Sequence, residues 1–340
     1  VPPNYDLYNR SSRALLKLLG DYRDKIEQYS IDEAFLDMTG CCDDPKQKAH
    51  EIKNRVKREL GFTVNIGVAE NKLLAKMASD FAKPDHVHTL WKEEIPQKMW
   101  PLPVGDLFYV GHASLRTLQA MGIRTIGELA KTNPVYLRGY MKSHGTLIWQ
   151  YANGIDVSEV VDTPPPAKGY GNSLTTPKDV QDAELAKQYL LSLAETVSAR
   201  LRADGVKVRV VSISLRDWNL RFYGRQVTLF TPTDLTREIY MAACLCFDEV
   251  WDKIPLRHLG IHTTQVSRND CRQMNLFEVV DYEKERRMEG AVDRIRKKFG
   301  VNSVIRACFL PSNGKEEIDH MGGGISREKR TVDYNKEKIF

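Results

Sequence analysis

The sequence around residue 32 reads Tyr29-Ser30-Ile31-Asp32-Glu33-Ala34-Phe35-Leu36-Asp37, with two adjacent carboxylates between two apolar runs. Short apolar runs on either side of a polar break are typical of two β-strands joined by a turn. Adjacent strand residues point to opposite faces, so Asp32 and Glu33 can share one site only where the backbone bends. Magnesium binds carboxylate oxygens together with substrate phosphates. The stretch predicts a hairpin whose tip binds magnesium, although most adjacent acid pairs are solvated surface.

Length and composition narrow the class of protein. The 340 residues, 42% of them hydrophobic, predict two or three domains, each able to bury a core. There is no long apolar run and no signal-peptide pattern, which favours a cytoplasmic protein without a membrane span. Six cysteines without a Cys-X-X-Cys pair or histidines at zinc spacing predict reduced thiols and no zinc. A net charge of +5 permits a polyanionic partner.

Residues 1–92 alternate strand and helix patterns, as expected for an α+β domain. A loop is predicted at 1–8, followed by helices at Ser11–Leu19, 46–60 and Glu70–Ala82, the last of which Pro84 terminates. On that last helix the spacing puts Lys72, Lys76, Asp80 and Lys83 on one face. Three ammonium groups on one face suit a triphosphate. The alternative is a solvated basic face opposite the apolar stripe.

Residues 93–161 are predicted to be helical. The stretch Val110-Gly111-His112-Ala113 precedes apolar residues at helical spacing and indicates a helix-hairpin-helix, although the usual pattern has a second glycine where His112 stands. The backbone N–H groups of such a hairpin can grip a phosphate without reading sequence, which makes Gly111, His112 and Ala113 candidate DNA contacts. A packing corner with glycines as helix caps is the alternative.

Residues 162–168 hold three consecutive prolines and are predicted to be a linker. Residues 169–267 then follow a βαββαβ order, which implies one sheet backed by two helices. Seven basic residues lie between 200 and 225 against two acids, and Arg209 and Arg225 on the predicted strands are candidate DNA contacts. The apolar pattern slips between Val210 and Val211, through either a bulge or a doubly buried strand, which leaves the facing of these side chains open.

The stretch Ser30–Asp37 resembles the palm motif of the Y-family, translesion DNA polymerases, and other features follow in that family's order. Asn71-Lys72 and Ala82-Lys83-Pro84 match the start and end of a family helix whose Lys-Pro lysine contacts the incoming triphosphate. The resemblance implies that Lys83 takes this role, with Lys72 and Lys76 as supporting charges. It also implies a ferredoxin-like palm at 1–92, a thumb at 93–161 and a DNA-binding little finger at 169–267, where Ser173 and Thr175 meet the template backbone.

The resemblance further implies partners and a cofactor: primer-template DNA, a deoxynucleoside triphosphate and two Mg²⁺ ions held by Asp32 and Glu33, in a monomer. Within the C-terminal segment 268–340, which also carries a helix and a tail predicted to be disordered, Gln273-Met274-Asn275-Leu276-Phe277 resembles the peptide by which bacterial polymerases bind the sliding clamp. Gln273 would bind at the groove rim, with Met274, Leu276 and Phe277 as apolar contacts.

One family feature is missing before Asp32: a strand with another metal-binding aspartate, followed by an aromatic residue and the fingers. We therefore predict a partial palm that binds DNA yet polymerises poorly. The alternative function is a non-catalytic protein that binds DNA and the clamp. A nucleotidyl-cyclase-like palm is the third reading, but no Gly-Gly-acidic turn occurs.

Overall fold

A computed structural model describes residues 4–163, 165–268, 281–310 and 318–321. The chain divides into two compact units, Leu7–Pro164 and a second made of Val1–Asp6 with Pro165–Phe340. The boundary falls inside the predicted linker at 162–168. None of the described helices combines the length and apolar character needed to cross a bilayer.

The first unit is built from short strands and nine helical segments among the described residues. Helices α1 (Tyr5–Gly20) and α2 (Pro45–Leu60) pack on the antiparallel pair β1 (Ile26–Gln28) and β2 (Ala34–Leu36), and β3 (Ile66–Val68) pairs in parallel with β4 (Val87–Thr89). Helix α3 (Lys72–Ser79) lies between those last two strands in sequence. The remaining helices are α4 (Ile95–Lys98), α5 (His112–Ala120), α6 (Ile126–Lys131) and α7 (Pro134–Ala152), with 3-10 turns at Lys92–Glu94 and Val104–Asp106.

Local sequence explains where these helices begin and end. Asp44 caps α2 by accepting a hydrogen bond from the Gln47 amide, Pro45 occupies the first turn, and Gly61 ends the helix at φ 75°. Asn71 caps α3 in the same way. At Gly67 on β3, an added Cβ would lie 1.8 Å from the Ala75 carbonyl oxygen of α3. Only glycine permits this close packing of α3 on the strand.

Two helix predictions need correction. Helix α1 begins at Tyr5, where the sequence predicted a loop to residue 8. Helix α3 ends at Ser79 with Asp80 as its C-cap, so the predicted extension to Ala82 is wrong and Lys83 lies beyond the helix. The amides of Asp80 and Phe81 turn back to the carbonyls of Met77 and Ala78, closing the helix three residues early.

One apolar core crosses the predicted boundary between residues 92 and 93. Leu73, Leu74, Met77 and Ala78 of α3 share a cluster with side chains of the helical segment, which include Leu107, Leu118, Ile126, Leu137 and Ile148. The palm and thumb predicted from sequence are therefore packed as one body, and their division at residue 92 stays a prediction.

The second unit follows the predicted βαββαβ order. Its elements are β5 (Gly169–Val180), α8 (Ala183–Ala203), β6 (Lys207–Asp217), β7 (Phe222–Thr233), α9 (Thr236–Val250) and β8 (Leu256–Ser267). The strands form one antiparallel sheet in the order β5-β8-β6-β7. The core between the sheet and α8 and α9 includes Leu190, Val197, Ile213, Phe247 and Ile261. The register of β6 against β7 shifts between Val208 and Val210, so the predicted irregularity is a bulge-type shift.

Helix α10 (Tyr282–Phe299) packs in an unexpected orientation. Its apolar residues recur at helical spacing and predict a buried stripe, yet Met288, Ile295 and Phe299 of that stripe are exposed. Its buried residues are Tyr282, Glu289 and Arg296. Beyond it, Ile318 and Met321 are also buried, so the predicted disordered tail is wrong for residues 318–321.

Candidate functional site

The carboxylate hairpin forms as the sequence predicted. The amides of Tyr29 and Ser30 both donate to the Glu33 carbonyl oxygen, at 3.0 and 3.1 Å, and close the turn between β1 and β2. The Ser30 hydroxyl donates to Asp32 Oδ1 at 2.5 Å and accepts from the Asp32 amide at 3.3 Å. Asp32 is exposed and Glu33 is half-buried. The tight turn bends the backbone between these two residues, which the shared-site interpretation requires.

A continuous series of ion pairs, here called the hairpin charge chain, runs from Glu33 to Lys83. Lys76 Nζ lies 2.6 Å from Glu33 Oε1 and 3.0 Å from Asp80 Oδ2, and Lys83 Nζ lies 2.7 Å from Asp80 Oδ1. The structure thus links three of the predicted site residues, Glu33, Lys76 and Lys83, although Lys83 is not on the helix.

Burial and charge act in opposite directions on this chain. Burial alone would lower the pKa of Lys76, but its contacts with Glu33 and Asp80 outweigh burial and raise the pKa above its ordinary value. Burial would raise the pKa of Asp80, but Lys83 and Lys76 lower it. Both groups are therefore held in their charged forms, which keeps a full ammonium beside the hairpin.

Lys72 has a structural role that the sequence did not predict. Its ammonium contacts both carboxylate oxygens of Glu27, at 2.9 and 2.7 Å, and the Glu159 carbonyl oxygen at 3.0 Å. It also lies 5.3 Å from the centre of the Phe35 ring. With these partners, Lys72 ties α3 to β1 and to the segment after α7. The support for triphosphate binding that the sequence predicts for Lys72 stays a prediction.

The predicted phosphate-binding hairpin lies at the start of α5. Gly111 is the N-cap residue, so it has no side chain to cap the helix, and His112 is the first helical residue. A Cβ at Gly111 would meet nothing within 4 Å, so the surface beside this helix start is open. The left-handed backbone that favours glycine occurs at Tyr109, at φ 73°, two residues before Gly111.

Aromatic side chains that the sequence analysis did not select lie between this turn and the carboxylate hairpin. Tyr29, Phe35, Phe108, Tyr109 and Tyr151 form a series of ring contacts with centroids 4.8 to 5.9 Å apart. Burial raises the pKa of Tyr29, and the nearby Tyr109 and Glu33 raise it further. The sequence signal that could have revealed these aromatic contacts was Tyr29, which immediately precedes the Ser30–Asp37 motif.

Helices α8 and α9 pack on one face of the sheet of the second unit, and we call the opposite face the open face. Register and burial place Ser173, Thr175, Ser214, His258 and His262 on this open face. Thr175 Oγ1 lies 3.0 Å from His258 Nδ1, and Ser214 Oγ lies 3.1 Å from His262 Nε2. The predicted residues Ser173 and Thr175 are thus on one surface, together with histidines that the sequence analysis missed.

The two predicted arginines make different contacts. Arg225 pairs with Ile213 of the core face and contacts Glu249 of α9 at 2.8 Å, so it lies on the helix side and not on the open face. Arg209 is exposed and donates to the Leu229 carbonyl oxygen at 3.1 Å. Arg216 is on the open face, where its guanidinium lies 4.7 Å from the Phe222 ring centre.

Much of the local basic excess counted in the sequence is used inside the fold. Lys207 is buried over the Tyr282 ring, and Arg202 pairs with Glu289 and Asp293 of α10. The predicted clamp-binding residues Gln273, Met274, Leu276 and Phe277 lie outside the described residues. No group of three or more His, Cys, Asp or Glu side chains suited to a metal occurs in the described part of the chain.

Comparison with known proteins places these features in one family. Residues 1–80 match the model of the impB/mucB/samB family, and residues 167–276 match that of its C-terminal domain. The chain is 39% identical to DNA polymerase IV of Clostridium acetobutylicum over 92% of its own length and 80% of that protein. It is 38% identical to DNA polymerase IV 2 of Bacillus subtilis, over 94% and 81% of the two chains.

The fold is similar to that of a solved structure. A Y-family DNA polymerase chimera superimposes with a TM-score of 0.68 at 23% identity, covering 79% of each chain. The matches include both the unit with the carboxylate hairpin and the unit with the four-stranded sheet. The chain therefore belongs to the Y family of DNA polymerases, and it is a DNA-directed DNA polymerase of the translesion type.

Proposed function

We propose that Asp32 and Glu33 hold Mg²⁺ beside the phosphates of an incoming deoxynucleoside triphosphate. The observation that supports the proposal is the hairpin charge chain, which connects Glu33 through Lys76 and Asp80 to Lys83. Two carboxylates at a tight turn are a donor set that suits magnesium when phosphate oxygens complete its coordination. When bound, magnesium supplies positive charge that favours deprotonation of the primer 3′-OH and stabilises the leaving pyrophosphate.

Within this site Lys83 is the residue that binds the triphosphate. Its side chain is 61% exposed and has Asp80 as an ion-pair partner, whereas Lys76 is 15% exposed between two carboxylates. An exposed ammonium can exchange a carboxylate for a phosphate at little cost in stability, since such pairs contribute about 0 to 1 kcal/mol. Lys76 instead keeps Glu33 and Asp80 in place.

The proposed DNA contacts are made by backbone and small side chains. The start of α5, at Gly111, His112 and Ala113, would bind a phosphate through its amides. On the open face of the sheet, Ser173 and Thr175 would contact the template backbone. Arg209, whose side chain is exposed, would add a positive charge from β6. Such contacts are independent of base sequence, so the affinity for DNA should fall steeply with increasing salt.

Binding of the sliding clamp through Gln273, Met274, Leu276 and Phe277 remains a proposal from sequence. Replacing both Leu276 and Phe277 by Ala should abolish capture by the clamp and leave DNA affinity unchanged. The monomeric state and the cytoplasmic location also remain predictions.

Manganese binding tests the metal site directly. Mn²⁺ replaces Mg²⁺ at carboxylate sites and is visible by electron paramagnetic resonance. With primer-template DNA and a deoxynucleoside triphosphate, the parent should bind more Mn²⁺ than the Asp32→Asn, Glu33→Gln double variant. Asp43→Asn, at another exposed carboxylate, should match the parent. Equal binding by all three proteins would refute the proposed site.

A further inference from the structure

Tyr109 has a backbone conformation that its side chain does not favour. It lies in the turn that Val110 closes by donating its amide to the Leu107 carbonyl oxygen at 3.0 Å, immediately before the Gly111 cap of α5. Its φ of 73° is in the left-handed region, which glycine adopts far more easily than a tyrosine. A residue that keeps such a conformation needs compensating interactions from its side chain.

The ring contacts of Tyr109 connect the turn before α5 to the carboxylate hairpin, and both lie in the first unit. The Tyr109 ring meets Phe108 at 4.8 Å and Tyr151 of α7 at 5.7 Å, both edge-on. Phe108 in turn lies 5.9 Å from Tyr29, which lies 5.6 Å from Phe35 on β2. We call these five residues the aromatic cluster. It spans from the turn before α5 to the base of the carboxylate hairpin.

Burial alone does not account for this arrangement. Tyr109 is 51% exposed and Tyr29 is 43% exposed, so each ring gains only part of the hydrophobic stabilisation of a core residue. Edge-on aromatic pairs do, however, restrict the relative orientation of the segments that carry them. The cluster therefore fixes geometry more than it contributes to the core.

We propose that Tyr109 is a positioning residue that fixes the phosphate-binding turn at Gly111 relative to the carboxylates of Asp32 and Glu33. The inference rests on the proposed function, in which the start of α5 binds a DNA phosphate while the two carboxylates hold magnesium. A glycine at position 109 would relieve the backbone but remove the ring that sets the alignment.

Localised cleavage of DNA by bound iron measures this alignment without requiring polymerisation. Fe²⁺ replaces Mg²⁺ in the full chain bound to primer-template DNA, and ascorbate with hydrogen peroxide then generates hydroxyl radicals at the ion. The cut positions on the labelled primer report which nucleotides lie near the carboxylates. DNA affinity is measured in parallel by fluorescence anisotropy.

The variants distinguish the loss of the Tyr109 ring from the relief of a left-handed backbone. In Tyr109→Gly the cuts should spread along the primer without a clear maximum, and the DNA affinity should stay close to that of the parent. Tyr109→Phe keeps the ring and should retain the sharp pattern. Lys253→Gly is the matched control, because Lys253 also has a left-handed backbone, at φ 68°, and lies in the other unit. It should retain the parent's pattern.

The outcomes distinguish this proposal from the proposed metal site. Sharp cuts in both the parent and Tyr109→Gly would overturn the positioning role and leave the metal site intact. Absence of cuts in the parent would refute the metal site and the positioning role together. If Tyr109→Gly does not fold, Tyr29→Leu removes the opposing ring without touching the backbone at 109. A sharp pattern in that variant would overturn the proposal.

Discussion

The hairpin charge chain of the first unit and a set of ion pairs in the second unit differ in their exposure to solvent. In the hairpin charge chain, the side chains of Glu33, Asp80 and Lys83 are 37%, 43% and 61% exposed. In the second unit, Glu195 and Arg296 are only 5% and 8% exposed, and Arg202 and Glu289 are 10% and 8% exposed. We call these last four residues, with Asp293, the buried ion network. It holds α10 against α8.

The difference in exposure predicts a difference in role. Exposed pairs are screened by water, so they contribute little to folding and can exchange a partner for a ligand. Buried pairs have lost their hydration, and removal of one partner leaves an uncompensated charge. The hairpin should therefore lose activity on mutation without unfolding, whereas the buried ion network should lose stability.

The largest expected effect is on catalysis. Asp32→Asn removes a proposed metal ligand, so the rate of single-nucleotide incorporation with Mg²⁺ should fall by about 10²–10³-fold, as when an electrostatic stabiliser is lost. Because Asp32 is exposed, the melting temperature should stay at the parent value. Undiminished incorporation by Asp32→Asn would show that Asp32 is not a metal ligand.

The next effect is on stability. Arg296→Met should lower the free energy of unfolding by about 3–5 kcal/mol, because Glu195 would lose its buried partner. Arg306→Met is the matched control: it removes a contact to the same carboxylate, but the Arg306 side chain is 43% exposed. Chemical denaturation should show the smaller loss for Arg306→Met. Equal losses would show that exposure does not separate the two kinds of ion pair.

A smaller effect is expected at Lys83. Lys83→Gln should raise the KM for the deoxynucleoside triphosphate about tenfold, which corresponds to about 1.4 kcal/mol of lost binding. The control is Lys57→Gln, because Lys57 is 58% exposed and lies 2.7 Å from Asp85, an environment that matches the 2.7 Å Lys83–Asp80 pair. An unchanged KM for Lys83→Gln would show that Lys83 does not bind the triphosphate.

The smallest effect depends on pH. Hydrogen bonds from Thr39, followed by Lys25, lower the pKa of Asp37 from 3.8 to about 2. Because the folded pKa is the lower one, the stabilisation is present above pH 4 and disappears as pH falls through 2. Solvent screening limits it to less than about 1 kcal/mol. Denaturation of the parent and Asp37→Asn should therefore differ at pH 6 and converge near pH 2. A constant difference would contradict the shift.

Periodicity predicted the second unit well, because its elements are long. The apolar pattern repeats often enough on α8 and β8 to place both elements within about two residues of their observed ends, whereas the predicted end of β5 at Thr176 falls four residues before Val180. The same method failed at α3, whose last turn depends on capping and not on the apolar pattern. It also failed at α10, where the ion pairs of Glu289 and Arg296 bury the charged face and leave Met288 and Phe299 exposed.

The candidate site was predictable in its residue types but not in its connections. The order of residues was enough to identify the hairpin carboxylates, the lysines and the family, because these depend on local spacing. The pairing of Lys72 with Glu27, the helix-side location of Arg225 and the contacts of Tyr109 involve residues distant in sequence. Such contacts form only when the chain packs, since packing alone determines which charge loses its water and which stays exposed to bind a ligand.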